Sequence, residues 1–215
     1  MHRAARGWRL QTLFKVRRFF TTPEIFRLYK AQVLSYIEGC TPAIFHAAPS
    51  VLDLIDRVQR RFLREMGFTE AEALELYSLA PLPCRRDMAM LGTLHKITLG
   101  LAPHQLSALF PILGTVSEPL MARRLRGWKP RHDRQLGTPA SFMSSDRMKR
   151  SMFGLCRCYN LLPQELVSLP SVKLLQRYLQ MGLRRCAQTG SEDWHELLSQ
   201  KWSRLPRQDF HALFS

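Results

Sequence analysis

This 215-residue chain lacks the motifs of several enzyme classes. It has no Asp-Asp pair, no Gly-x-x-x-x-Gly-Lys run that could cradle a phosphate, and no serine in a glycine-rich nucleophile turn. Stretches of eighteen unbroken apolar residues are also missing, so we expect no membrane span and no membrane partner. Nothing in these patterns predicts catalysis by this chain.

Cysteine is scarce and irregularly spaced. Five cysteines, an odd number, are scattered along the chain at Cys40, Cys84, Cys156, Cys158 and Cys186. This count fits reduced thiols in the cytoplasm or nucleus better than a secreted disulfide scaffold. Cys156 and Cys158 lie close together, but no second Cys or His pair follows at the spacing of a zinc site. We therefore expect no metal and no cofactor in this chain.

Acidic residues are few in comparison with basic ones. The chain has 32 Lys and Arg against 17 Asp and Glu, a formal net charge of +15 and a sequence pI near 10.4. This balance indicates a polyanionic partner, of which nucleic acid is the commonest. Ribosomal, chromatin or membrane-surface contacts would favour the same composition. An apolar share of 46% is sufficient for a packed core.

The segment from Pro23 to Gly67 predicts two helices. Thr21 and Glu24 are spaced as a capping box at the start of the first helix, and Gly39 marks its end. Apolar side chains surround most of its circumference, which predicts a buried helix. The second helix follows a turn with two prolines, and Ser50 is placed to cap it.

The second helix separates two surfaces. Apolar residues at spacings of three and four define one stripe: Val51, Ile55, Val58, Phe62 and Met66. The opposite side carries four arginines: Arg57, Arg60, Arg61 and Arg64. Each guanidinium can present paired N–H groups to phosphate oxygens, so this side is a candidate nucleic-acid site. The alternative is an ordinary solvated helix face. We expect the apolar stripe to pack on the helix from Pro23 to Glu38.

We expect a further helix that begins near Arg85 and ends near Gly100, with His95 as a core or rim residue. After this helix the composition changes. Residues 112 to 149 predict a basic linker. Its candidate nucleic-acid-binding residues are Arg123, Arg124, Arg126, Trp128, Lys129 and Arg131. An aromatic ring among arginines can stack on unpaired bases while the charges hold the backbone. The alternative is a flexible connector with Trp128 packed on a neighbouring helix.

Residues 150 to 215 predict a second, smaller helical module. Its main helix is expected at Ser171 to Ala187, with Ser171 as the cap. We therefore predict an all-α fold: a helical bundle over residues 1–111, the basic linker over 112–149, and a C-terminal helical module over 150–215.

Several motifs follow one another in the order of a known family. They are LYKAQVLSYIE at 28–38, VQRR at 58–61 with Leu63 and Arg64, PLPCRRD at 81–87, RSMF at 150–153 and YNLLP at 159–163. Together they resemble the thumb and post-thumb region of LINE-type (non-LTR) retrotransposon reverse transcriptases. Tyr159 stands where the family has Trp, which keeps a large amphipathic ring.

The resemblance implies a nucleic-acid-binding part of an RNA-directed DNA polymerase. In that family the catalytic aspartates and their Mg²⁺ belong to a palm domain upstream of the thumb, and an endonuclease lies further upstream. We therefore expect a noncatalytic part of a polyprotein that grips RNA or RNA/DNA backbone, with an upstream palm as partner. A free-standing binding protein derived from such an element, or a helical remnant without selected activity, are the alternatives. An F/Y-A-D-D strand in the upstream genomic frame would identify a fragment.

The amino terminus has two interpretations. Residues before Glu24 contain no acid and mix six basic residues with apolar ones, which is typical of a mitochondrial presequence. The same run also resembles an interior segment of the family just before its first thumb helix. We favour the second interpretation and expect a nuclear or cytoplasmic protein.

Overall fold

The computed structural model describes residues 2–113, 132–137, 145–190 and 193–199. It is 71% helix and 1% strand, which confirms the predicted all-α fold. Within the described residues no β-sheet forms, and Ile112 and Leu136 make an isolated antiparallel bridge. The chain divides into two compact units, Met1–Arg86 and Asp87–Ser215. The boundaries expected at residues 111 and 149 stay predictions.

Unit 1 is built from helices in close succession. They are α1 (His2–Val16), a 3₁₀ turn (Arg17–Phe19), α2 (Thr22–Tyr29), a π-helical turn (Lys30–Leu34), α3 (Ser35–Gly39), α4 (Thr41–Ile44), α5 (Pro49–Met66) and α6 (Glu70–Tyr77). Helix α7 (Leu82–Thr98) contains the division at Arg86. The described elements of unit 2 are α8 (His104–Ser107), α9 (Asp146–Lys149), α10 (Met152–Tyr159), α11 (Gln164–Val167), α12 (Val172–Gln188) and a 3₁₀ turn (Trp194–Glu196).

The run from α2 to α3 begins and ends as predicted. The backbone N–H and the hydroxyl of Thr21 both donate to Oε2 of Glu24 at 2.8 Å, which forms one half of the capping box. The run ends at Gly39. Its middle differs from the expected uninterrupted α-helix, because the Lys30–Leu34 turn is π-helical and the Ser35 N–H bonds to the Lys30 carbonyl. Such a turn inserts one residue without changing which side is apolar.

Helix α5 starts earlier than expected. Ala48 is its N-cap and Pro49 its first residue, so the prediction that Ser50 caps this helix is wrong. Proline suits the first helical position because its fixed φ is already helical and its missing N–H would have no partner there. The helix ends at Gly67, whose φ of 74° lies in the left-handed region that favours glycine.

The apolar side of α5 packs on α2, as predicted. The Phe62 ring stacks on Tyr29 with centroids 4.0 Å apart, and it meets the Phe26 ring edge-on at 5.1 Å. Burial begins at Ile55, whereas Val51 is 47% exposed, so its expected place in the packed stripe is wrong. Gln59 takes a central buried position instead, and its Nε2 donates to the Ala80 carbonyl at 2.9 Å. A polar side chain is tolerated there because its amide donor finds a backbone partner.

Two further predictions hold in unit 2. The Ser171 hydroxyl accepts a hydrogen bond from the Leu174 N–H at 3.3 Å and caps α12 at its first residue, Val172. Leu175, Leu179 and Leu183 are buried along this helix, although Met181 of the expected apolar surface is 41% exposed. The apolar period therefore identified the helix but not every buried position.

Candidate nucleic-acid interface

The four arginines of α5 form one exposed surface opposite the packed side. We call Arg57, Arg60, Arg61 and Arg64 the arginine face; all four are exposed. At 3.6 residues per turn they lie on one side of the helix, roughly opposite Phe62 and Met66. Helix α5 is held from behind by its apolar contacts, so this face is presented by a rigid element rather than a loop.

An acidic residue lies within this face. Asp53 Oδ2 accepts from Nε and Nη2 of Arg57, each at 2.9 Å, and Asp53 Oδ1 pairs with Nη2 of Arg60. The hydrogen bonds from Arg60, and then those from Arg57, hold the pKa of Asp53 below its ordinary value. Asp53 is thus ionised at neutral pH and offsets part of the charge of the first two arginines. Its spacings of four and seven residues indicate this contact in the sequence, but the sequence interpretation missed it.

The second half of the face has no acidic partner among the described ion pairs. Neither Arg61 nor Arg64 takes part in them. The guanidinium carbon of Arg61 lies 6.0 Å from the centre of the Phe14 ring on α1, at the outer limit of a cation–π contact. The two arginines nearer the carboxyl end of α5 are therefore the ones whose charge no described ion pair offsets.

The end of α1 extends this basic surface. Nη1 of Arg17 donates to the backbone carbonyl of Glu65 at 3.0 Å, and it lies 4.0 Å from the Glu65 carboxylate. Lys15 and Arg18 are exposed on either side of this contact in the sequence. These residues were assigned no site from the sequence. The contact that brings them to α5 spans 48 positions, and no local pattern indicates it.

Three basic residues of the family-like motifs are structural in unit 1. Arg86 makes a bidentate pair with Asp56, with Nη1–Oδ1 at 2.5 Å and Nη2–Oδ2 at 2.9 Å, and its side chain is 6% exposed. Nε of Arg85 pairs with Glu38. The ammonium group of Lys30 donates to the Tyr77 carbonyl, and burial lowers its pKa. These side chains join elements of the bundle and are committed to that role.

The predicted site in the linker lies outside the described residues. This applies to Arg123, Arg124, Arg126, Trp128, Lys129 and Arg131. A short described part of the same region, residues 132–137, is held firmly in unit 2. The Asn160 side chain accepts from the Leu136 N–H and donates to the Leu136 carbonyl, both at 2.9 Å. Arg134 donates to the Val167 carbonyl at 2.7 Å, so this basic residue is anchored to the turn of α11.

The YNLLP motif contributes a buried polar cluster. Tyr159 is fully buried, and its hydroxyl lies 3.0 Å from Nδ1 of His95 and 3.0 Å from Oγ1 of Thr98. Nε2 of His95 donates to the Leu169 carbonyl at 2.9 Å. Burial lowers the pKa of His95, against the opposing effect of that hydrogen bond. His95, expected as a core or rim residue, is a core residue, and the Tyr159 hydroxyl is one of its hydrogen-bond partners.

The described part of the chain has neither a candidate metal site nor a candidate membrane-spanning helix. No group of three or more His, Cys, Asp or Glu side chains there could hold a metal ion. Cys156 and Cys158 are buried, and burial raises the pKa of Cys156 to about 12. Among these residues no helix is long and apolar enough to cross a membrane.

Comparisons with known proteins add no identification. No family model matches the chain, and neither the curated proteins nor the solved structures contain a match. The resemblance of the sequence motifs to non-LTR reverse transcriptases stays a prediction.

Proposed function

We propose that this chain is a noncatalytic C-terminal part of a non-LTR retrotransposon reverse transcriptase that grips template and primer by backbone contacts. The observation that carries the proposal is the arginine face of α5, which is exposed on a helix whose other side is packed. Five motifs in the family's order and a net charge of +15 support it.

The chemistry of this face suits phosphates. Guanidinium groups offer paired, planar N–H donors that match phosphate oxygens, and they remain charged at any physiological pH. Recognition of base edges would require side chains that enter a groove in a fixed register, whereas a convex row of arginines contacts the nucleic-acid backbone. The proposed binding is therefore independent of sequence. Its affinity falls with salt, with a logarithmic slope of roughly 0.7 to 0.9 for each phosphate neutralised.

The test compares two pairs of substitutions in α5. Arg61→Gln with Arg64→Gln removes the unpaired half of the face, and Arg57→Gln with Arg60→Gln removes the half that contacts Asp53. We expect the first pair to weaken binding of a labelled RNA/DNA duplex more than the second, because Asp53 already offsets the charge of the second. Removing Arg61 and Arg64 should lower the salt slope by roughly one to two. Fluorescence anisotropy over a salt series measures both quantities.

A matched control separates a local site from net charge. Lys173 and Arg177 are exposed on α12, so Lys173→Gln with Arg177→Gln removes the same two charges from another helix. Circular dichroism should show the same helix content for all three variants. Equal losses of affinity in the control and in the Arg61/Arg64 variant would contradict a site on α5, and no binding by the unaltered chain would contradict the proposal as a whole.

A further inference from the structure

An exposed aromatic ring lies at the end of α1. Phe19 is 70% exposed and its neighbour Phe20 is 43% exposed, whereas Phe26 and Phe62 in the same unit are almost completely buried. Phe19 is the last residue of the 3₁₀ turn that follows α1, and Phe20 caps that turn through a bond from its N–H to the Arg17 carbonyl at 3.2 Å. A single exposed ring is ordinary, so its surroundings decide whether it has a role.

The ring of Phe19 is covered by a cation on one side. The guanidinium carbon of Arg18 lies 4.7 Å from its centroid, within the range of a cation–π contact. Phe19 is 70% exposed, so much of its ring surface remains accessible beside this cation. An accessible aromatic face next to a guanidinium is a suitable surface for stacking a nucleobase.

The position of this ring connects it to the arginine face. Arg17, two residues before Phe19, donates to the Glu65 carbonyl at the carboxyl end of α5, next to Arg64. One helical turn earlier, Arg61 lies over Phe14 of α1. Arg17, two residues before the ring, is thus held at the end of α5 that carries Arg61 and Arg64, the half of the face with no acidic partner among the described ion pairs.

Charge favours one class of partner for this surface. Arg17 contacts Glu65, which follows Arg64 on α5, and the exposed Lys15 and Arg18 lie on either side of Arg17 in the sequence. A stacking ring beside a row of guanidinium groups is the combination used for single strands, because a duplex keeps its bases stacked on one another.

We propose that Phe19 stacks on an unpaired base of a single-stranded nucleic acid whose phosphates contact Arg61 and Arg64. This inference rests on the proposed function and adds to it a preference for a single-stranded segment next to the duplex. Removing one stacking ring is expected to lower affinity for a single strand by about tenfold.

The experiment uses three variants of the full chain, two at Phe19 and one control at Leu76. Phe19→Leu keeps an apolar side chain and removes the ring, Phe19→Trp keeps a ring, and Leu76→Ala removes an exposed apolar side chain from α6 as a control. Each is titrated against a labelled oligouridylate and against an RNA duplex of equal length. We expect Phe19→Leu to lose about tenfold in affinity for the single strand and less than about twofold for the duplex. Phe19→Trp and Leu76→Ala should bind both nucleic acids as the unaltered chain does.

The outcomes separate this inference from the proposed function. If the unaltered chain binds both nucleic acids but Phe19→Leu changes neither affinity, the stacking site is wrong and the arginine face stands. Equal losses for single strand and duplex also overturn stacking. If the unaltered chain binds neither, both proposals fail. Binding to vesicles of anionic lipid that is lost in Phe19→Leu, without any effect on the single strand, assigns the ring to a membrane surface and overturns the inference.

Discussion

At the scale of single residues, Asp53 determines how much of the arginine face is available. Its carboxylate bonds to Arg57 and Arg60, and these bonds lower its pKa, so it carries a full negative charge at neutral pH. A phosphate that binds there must compete with this carboxylate for the same donors. We therefore expect Asp53 to lower the affinity of the arginine face for phosphate.

Replacing this carboxylate is expected to strengthen binding. Asp53→Asn removes one negative charge and releases two guanidinium groups, and the energy of an exposed ion pair sets the gain at about two- to fivefold in affinity. The gain should shrink as salt rises, because exposed charges are screened. Anisotropy titrations with a labelled duplex at low and high salt measure it.

Asp146 provides the matched control. It is exposed on α9 and pairs with Lys149 at 3.1 Å, so Asp146→Asn makes the same change of charge in another unit. An equal gain from both substitutions would mean that net charge, and not the release of Arg57 and Arg60, governs affinity.

Whether a side-chain contact could be predicted from the sequence depends on how far apart its two residues lie along the chain. The four arginines and the contact of Asp53 with them follow from spacings within one helix. Arg86 could not be assigned in this way, because its partner Asp56 lies 30 positions away. An arginine looks the same in sequence whether it binds phosphate or a buried carboxylate.

At the scale of elements, the Asp56–Arg86 pair ties α5 to the start of α7. Its two hydrogen bonds together form a bidentate contact, and both side chains are largely removed from solvent. A buried charge that loses its partner keeps the full desolvation penalty. The pair therefore contributes more to specifying the packing of α5 than to net stability.

Breaking this pair and replacing it should have opposite consequences. Arg86→Met leaves Asp56 unpaired and is expected to lower the free energy of unfolding by about 3 to 5 kcal/mol. Adding Asp56→Leu should restore most of this loss, because two apolar side chains can fill the same space. Urea denaturation followed by circular dichroism measures both variants. The double variant should retain the nucleic-acid affinity of the unaltered chain, since it changes neither the net charge nor the four arginines of the arginine face.

The more exposed pair of Arg85 with Glu38 serves as a comparison. Their side chains are 21% and 38% exposed, so Arg85→Met should cost less than about 1 kcal/mol. Similar losses for Arg85→Met and Arg86→Met would contradict the idea that burial sets the difference. If Asp56→Leu did not restore the free energy of unfolding lost in Arg86→Met, the pair would have a role beyond mutual neutralisation.

Helices were easier to predict than their exact geometry. Apolar period, the Thr21–Glu24 cap and Gly67 located α2 and α5 in the sequence. The π-helical turn at Lys30–Leu34 was not predicted, because apolar side chains surround most of this run and hide the lengthened spacing of the buried ones, which face one core on both sides of the turn. The predicted burial of the first turn of α5 is also wrong. Val51 has the spacing of the apolar stripe, but burial along this helix begins only at Ile55.

At the scale of the whole molecule, the fold class followed from composition and period, while the polar interior did not. The chain's strong positive charge indicated a polyanionic partner and hid the fact that several basic groups have internal roles. His95 was recognised as a core residue by its place on an apolar stripe. Its partners, Tyr159 and Leu169, lie 64 and 74 positions away. Only the folded chain brings them next to His95, so no local sequence pattern predicts these hydrogen bonds.

The His95 cluster makes stability depend on pH. Because the Leu169 carbonyl can only accept, Nε2 of His95 carries a proton, and the neutral ring then accepts from the Tyr159 hydroxyl at Nδ1. Burial lowers the pKa of His95 below its ordinary value of 6.5, and Arg134 adds a smaller effect in the same direction. The folded state thus binds fewer protons than the unfolded state below about pH 6.5. The stabilising contribution is fully present above that pH and is lost as the pH falls toward the folded-state pKa.

The free energy of unfolding should therefore fall between about pH 7 and about pH 5, with a slope for this one proton of no more than about 1.4 kcal/mol per pH unit. Urea titrations at several pH values measure the slope. His95→Gln keeps hydrogen-bonding groups without a titrating ring, so it should lower stability at neutral pH and remove this part of the slope. His195→Gln, at an exposed position, should leave the slope intact. If His95→Gln retained the full slope, other groups would titrate in this range and the neutral state of His95 would not be the cause.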